Sequence, residues 1–144
     1  MKKCCNMQNL TDIGLLALRI ALGVIFIRHG WLKFQDLAGV ASFFESFGIP
    51  GATFWAYVVA FVEFFGGLAV LLGVYVRAAA FFLGIVMVVA LLVVHTKLPF
   101  DNAELPIAAL GGLIALKAFG GGAWQLYKDQ ECFCGMKATK EEKK

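Results

Sequence analysis

Four long stretches of the chain carry almost nothing polar: Leu10 to about Arg28, Thr53 to Tyr75, Ala78 to Val94, and Leu105 to about Trp124. An apolar helix needs about 20 residues to cross the roughly 30 Å hydrocarbon core of a bilayer, so the pattern predicts four membrane spans. Only the short stretch around Val76 and Arg77 separates the second from the third, which predicts a tight antiparallel hairpin. Between spans one and two, Leu37, Val40, Ala41, Phe43, Phe44 and Phe47 fall near helical spacing and are followed by the breaker Gly48-Ile49-Pro50-Gly51. That pattern predicts an amphipathic helix lying in the membrane interface. Between spans three and four, Lys97 to Asn102 has turn chemistry. The expected architecture is an all-α membrane protein: a four-transmembrane-helix antiparallel bundle with one interfacial helix. Residues 1–136 form a single domain in this reading, and 137–144 a charged tail expected to be mobile.

Composition strengthens the membrane assignment. Of the 144 residues, 60% are hydrophobic and 16% charged, against about 45 to 50% apolar in soluble domains. The net charge of +3 comes without a basic stripe interleaved with aromatics, which excludes a nucleic-acid-binding surface. Lys2, Lys3, Arg77, Lys117, Lys128, Lys137, Lys140, Lys143 and Lys144 fall on one side of the expected topology, and Arg28, Lys33 and Lys97 on the other. This imbalance predicts a plasma (inner) membrane protein with both termini in the cytoplasm. The first apolar stretch contains Arg19 and exceeds signal-peptide length without a convincing cleavage site, so it is expected to be retained.

Charge inside the spans points to chemistry. Arg19 lies nine residues after Leu10 and Glu63 ten before Gly73, roughly 14 to 15 Å along oppositely directed helices at 1.5 Å per residue. An unpaired charge near mid-membrane costs about 2.5 to 3.5 kcal/mol on insertion scales, so the two are expected to meet. Arg19, Gly23, Phe26, Gly30 and Lys33 follow one helical stripe, and Gly66, Gly67 and Val70 share the face of Glu63, predicting a close interhelical seam. An Arg19–Glu63 pair could be a clamp fixing helix register, or a catalytic polar centre serving a lipid-soluble redox molecule. A second polar group, with His29, Lys33, His95, Asp101 and Glu104, should converge at the outer helix ends, where it could ligate a metal, gate protons or simply be solvated and hydrogen-bonded in the interface. Arg28 lies on the face opposite Arg19 and is expected to reach head groups, while Trp31, Trp55, Tyr57, Tyr75, Trp124 and Tyr127 suit an aromatic belt.

Cys4 and Cys5 precede the first span, and Cys132 and Cys134 follow the last. All four fall on the cytoplasmic side of the expected topology, where stable disulfides are disfavoured. They could bind a soft metal, exchange electrons with a partner thiol, or have no shared role. The chain shows no haem, flavin or iron–sulfur motif that would supply electrons by itself.

The run Arg19 to Phe26, continuing to His29, Gly30 and Lys33, resembles the first-helix signature of the DoxX family of small bacterial membrane proteins. Phe47-Gly48-Ile49-Pro50 and the pattern Glu63, Gly66-Gly67, Gly73 and Arg77 resemble the same family, over about Ile13 to Trp124. The resemblance implies a four-helix inner-membrane protein with Arg19, His29, Lys33, Glu63 and Arg77 as its polar positions. Because relatives include a subunit of thiosulfate:quinone oxidoreductase and proteins linked to thiol stress, it also favours a redox role.

The leading expectation is therefore a quinone- or thiol-linked redox subunit, with Arg19 and Glu63 as its catalytic centre. His29, Lys33, Arg77, His95 and Glu104 would contact substrate. Its expected surroundings are the lipid bilayer, a soluble or membrane redox partner, and a second copy of the chain. A non-catalytic accessory or assembly subunit and a small transporter or metal-handling protein are the competing classes.

Overall fold

The computed structural model describes residues 2–95 and 104–127, with side chains at 10–93 and 104–127. It contains α1 (Lys2–Gln35), α2 (Leu37–Ser46), α3 (Ala52–Leu72), α4 (Val76–His95) and α5 (Glu104–Phe119), with no strand among the described residues. Leu10–Gln35, Ala52–Leu72 and Val76–Val93 are long and apolar enough to cross a membrane.

Helix boundaries follow local chemistry. No proline interrupts the chain from Leu10 to Gln35, so α1 continues well past Arg28, where the first span was expected to end. Asp36 then ends one helix and starts the next, its carboxylate accepting from Gly39 N at 2.9 Å as an N-cap. In α2, Ala41 is buried, Leu37, Val40 and Phe44 are half-buried, and Ser42, Glu45 and Ser46 are exposed. The amphipathic helix thus forms where its spacing predicted it, and it packs on α3.

The predicted hairpin between spans two and three is formed by α3 and α4, joined through Gly73, Val74 and Tyr75. Gly73 N and Val74 N both donate to Ala69 O at 2.9 Å, closing the end of α3. Gly73 adopts φ 76°, and the Arg19 guanidinium occupies the space a Cβ would fill. A side chain at this turn would meet both a strained backbone and a buried cation.

The fourth apolar stretch is shorter as a helix than expected. α5 stops at Phe119, and Gly120 to Tyr127 run as an irregular segment folded back against the start of α1 and the α3–α4 turn. Three successive glycines, Gly120 to Gly122, carry the backbone out of the helix, because glycine gains least from helical order.

Small residues bring α1 and α3 together. A Cβ on Gly30 would lie 2.5 Å from Phe64 N, one on Gly23 2.8 Å from Leu71 Cβ, and one on Gly67 2.8 Å from Ile27 N. These antiparallel contacts fix the register: Gly30 opposite Phe64, and Gly23 opposite Gly67 and Leu71. α4 and α5 complete the core through Val76, Leu83, Leu113 and Leu116, packed with Leu22, Phe26 and Val70. Outside, Phe54, Phe61, Phe65, Phe82, Leu92 and Ile114 are exposed, a distribution suited to hydrocarbon rather than water.

Candidate functional site

The helix register separates the two charges that the sequence placed together. Lys33 stands one turn beyond Gly30 on the same stripe of α1, and Glu63 directly precedes Phe64 on α3, so the Gly30–Phe64 approach aligns these two side chains. Lys33 Nζ donates to Glu63 Oε2, forming an ion pair. The Glu63 side chain is 2% exposed and that of Lys33 is 26% exposed. The carboxylate is thus sealed in the bundle while its cation keeps an open side.

Arg19 does not meet Glu63. It lies fourteen residues before Lys33 on α1, roughly 21 Å along the helix. The expected pairing counted depth from Leu10 and Gly73, but the glycine contacts set Arg19 level with the end of α3 instead. There its guanidinium donates four hydrogen bonds to carbonyls: Nε to Val70 O (3.0 Å), Nη2 to Leu71 O (3.1 Å), and Nη1 to Gly121 O (3.0 Å) and Trp124 O (2.7 Å). The end of α3 exposes carbonyls with no intrahelical partner and carries the negative end of the helix dipole. Arginine supplies enough fixed donors to serve several of them at once. Among the described residues, no buried side-chain nitrogen or oxygen lacks a partner, so both buried charges are fully accommodated.

A cavity of about 160 Å³ opens beside the Lys33–Glu63 pair. Its polar edge is His29, Lys33 and Glu63, and its apolar walls include Ile25, Phe26, Met87 and Ala109. Four helices contribute: α1, α3, α4 and the first turns of α5, where Leu105 and Pro106 line it. A carboxylate, an ammonium and an imidazole beside an apolar chamber can accept, donate or relay a proton to a ring held there.

His29 and Lys33 therefore share one site, as the sequence suggested, with Glu63 added from the group expected to be deeper. Glu104 is an exposed residue immediately before Leu105, outside the cavity lining. Arg77 is not part of this gathering: it lies beside Gly120, whose Cβ would be 3.5 Å from Arg77 Nε, at the Arg19 end. The His95 side chain, Asp101, Cys132 and Cys134 lie outside the described residues, as do the side chains of Cys4 and Cys5. Among the described residues, no group of three His, Cys, Asp or Glu side chains is arranged to hold a metal.

Sequence reasoning missed Asp12, whose Oδ1 accepts from Ala123 N at 3.0 Å. It also missed Met87 and Pro106 in the cavity wall. A polar residue one heptad before Arg19 was the available signal for Asp12; nothing in the pattern of α4 marked Met87.

The DoxX family model matches residues 14–96. A Bacillus subtilis (strain 168) protein named "Putative oxidoreductase CatD" is 40% identical over 94 residues, covering 65% of this chain and 69% of that protein. The inner membrane protein YqjF of Escherichia coli (strain K12) is 32% identical over 124 residues, covering 83% and 94%. An uncharacterized membrane protein of Mycobacterium tuberculosis is 36% identical over 125 residues, covering 85% and 71%. No solved structure matches the chain. With the family model spanning more than half of it, and YqjF aligned over nearly its whole length, this chain belongs to the DoxX family of membrane proteins.

Proposed function

We propose that this protein is a membrane-embedded redox subunit that takes the ring of a quinone into the cavity beside Glu63, Lys33 and His29. The observation carrying this reading is the buried ion pair opening on an apolar chamber of about 160 Å³. An apolar cavity of roughly 150 Å³ is known to hold a benzene ring, so one six-membered ring fits the space. Reducing a quinone to a hydroquinone takes two electrons and two protons. Glu63, Lys33 and His29 would pass protons to the ring oxygens, and a redox partner would deliver the electrons. The name of the CatD relative is in keeping with such chemistry.

In this reading Arg19 is a clamp rather than a catalytic residue, since carbonyls take up its donors. We take α5 to be a fourth span: it begins at the cavity, where Leu105 lines the wall, and ends where Gly121 O meets Arg19. That gives a single four-span domain in a bacterial inner membrane, with α2 in the interface and both termini cytoplasmic.

Purified protein in nanodiscs should bind a short-chain ubiquinone saturably. Glu63→Gln should weaken binding tenfold or more, the effect of losing about 1.4 kcal/mol of a charge-assisted contact. Parental affinity in a folded Glu63→Gln variant, or no binding by the parent, would remove the quinone reading and favour an accessory subunit.

A further inference from the structure

Arg77 and Lys117 stand apart from the cavity, and the packing of α4 on α5 brings them to one place. Lys117 Nζ lies over the Phe81 ring, 4.1 Å from its centroid. One turn closer to the α3–α4 hairpin, a Cβ on Gly120 would be 3.5 Å from Arg77 Nε. Arg77 and Phe81 are four residues apart on α4, and Lys117 and Gly120 are three apart at the end of α5. The two pairings are therefore successive rungs of one antiparallel seam, and the two cations are roughly 5 to 6 Å apart along it.

This end of the bundle lies at head-group depth. Val76–Val93 is long and apolar enough to cross a membrane, which puts Arg77 where the hydrocarbon begins. Tyr75, Trp124 and Tyr127 are exposed at the same end, and the two tyrosine rings lie 4.9 Å apart; such amphipathic rings settle at the membrane–water boundary. Among the residues with described side chains, this end holds Arg19, Arg77 and Lys117 against one carboxylate, Asp12, which accepts from Ala123 N. Asp36, Glu45, Glu63 and Glu104 lie toward the opposite end. Arg19 is buried among carbonyls, whereas Lys117 is exposed and Arg77 half-buried. Away from the cations the seam turns apolar. Phe81 and Val88 follow Arg77 on one stripe of α4, Ile114 lies one turn before Lys117 on α5, and all three apolar side chains are exposed.

We infer that Arg77 and Lys117 bind the phosphodiester of an anionic glycerophospholipid, with an acyl chain lying along Phe81, Val88 and Ile114. A guanidinium presents five donors in a fixed fork, so it serves a phosphate alongside any protein partner, and the ammonium adds a point charge. The Phe81 ring face holds that ammonium over the seam without neutralising it. The first turn of α4 contributes the positive end of its helix dipole. Charge selects the occupant: a zwitterionic phospholipid brings a cation of its own, whereas an anionic one complements the pair, as in basic pockets between membrane helices. A phosphate ester free in water offers the same oxygens but no chain for the apolar strip. Lys117 lies twelve residues after Leu105 of the cavity wall, roughly 18 Å along α5, so this site is remote from the cavity and does not rest on the quinone reading.

Native mass spectrometry of the full-length protein, released from nanodiscs of equal phosphatidylglycerol and phosphatidylcholine, tests this directly. The parent should retain phosphatidylglycerol in preference to phosphatidylcholine. Lys117→Gln and Arg77→Gln should each lower that preference about fivefold, the share of one interfacial cation. Arg77→Lys, which keeps the charge, should retain most of it, and Lys117→Gln, at an exposed position, carries the test if Arg77→Gln does not fold. Arg28→Gln removes an exposed cation at the opposite end and should leave the preference unchanged. Added glycerophosphoglycerol, the head group without chains, should not displace the lipid. Equal retention of the two lipids, parental preference in folded Lys117→Gln, or an equal loss in Arg28→Gln would overturn the site. Displacement by glycerophosphoglycerol would overturn the part assigned to the acyl chain.

Discussion

At the scale of single residues, the two buried charges have different duties because their partners differ. Arg19 is held by backbone carbonyls that belong to the end of α3 and to the returning segment. Lysine offers a point charge on a flexible stem and cannot reproduce a planar fork of donors. Arg19→Lys should therefore destabilise the protein by at least ~2 kcal/mol, the cost of orphaning one or two buried carbonyls, while quinone affinity in the surviving folded fraction stays at the parental value. Thermal unfolding followed by circular dichroism, alongside ligand titration, reads both. Glu63→Gln should do the reverse, lowering affinity more than stability, because the shorter-range amide can still accept a hydrogen bond from Lys33. The sequence marked both residues correctly as buried and polar, but it could not assign partners. Lys33 and Arg19 lie on one stripe of α1, so either could have faced Glu63, and only the register of the seam decides between them.

At the scale of elements, that register rests on glycines. The approach of Gly30 to Phe64 N leaves no room for a methyl group, whereas nothing lies within 4 Å of where a Cβ on Gly14 would be. Gly30→Ala should push α1 from α3, cost about 1 to 3 kcal/mol and pull Lys33 away from Glu63. Gly14→Ala, on the same helix, should be neutral or stabilising by up to about 1 kcal/mol. Equal melting temperatures for the two variants would contradict the seam. Element types were legible from periodicity: the hairpin turn, the amphipathic helix and the apolar stretches all stand near their expected positions. Element ends were less so. Hydropathy drops at Arg28, yet α1 continues, because a polar side chain ends an apolar run without breaking a helix. Conversely, apolar character continues toward Trp124, yet α5 ends at Phe119, because the glycine run weakens the helix without lowering hydropathy much.

At the scale of the whole molecule, the chain is a DoxX-family membrane protein whose two polar regions are held apart by an apolar core. If α5 crosses the bilayer, both termini emerge on one side. Reporter fusions at the N- and C-terminus should then give the same cytoplasmic signal; opposite signals would leave three crossings and contradict the fourth span. The central claim is that a quinone ring enters the chamber next to the Lys33–Glu63 pair. The most direct measurement is photolabelling of the protein in nanodiscs with an azidoquinone, followed by peptide mapping of the attached label. The account predicts label on cavity-lining residues such as His29, Met87 and Pro106, competed away by unmodified quinone and reduced in Glu63→Gln. Label confined to the exposed outer faces of the helices, unaffected by competitor, would contradict it.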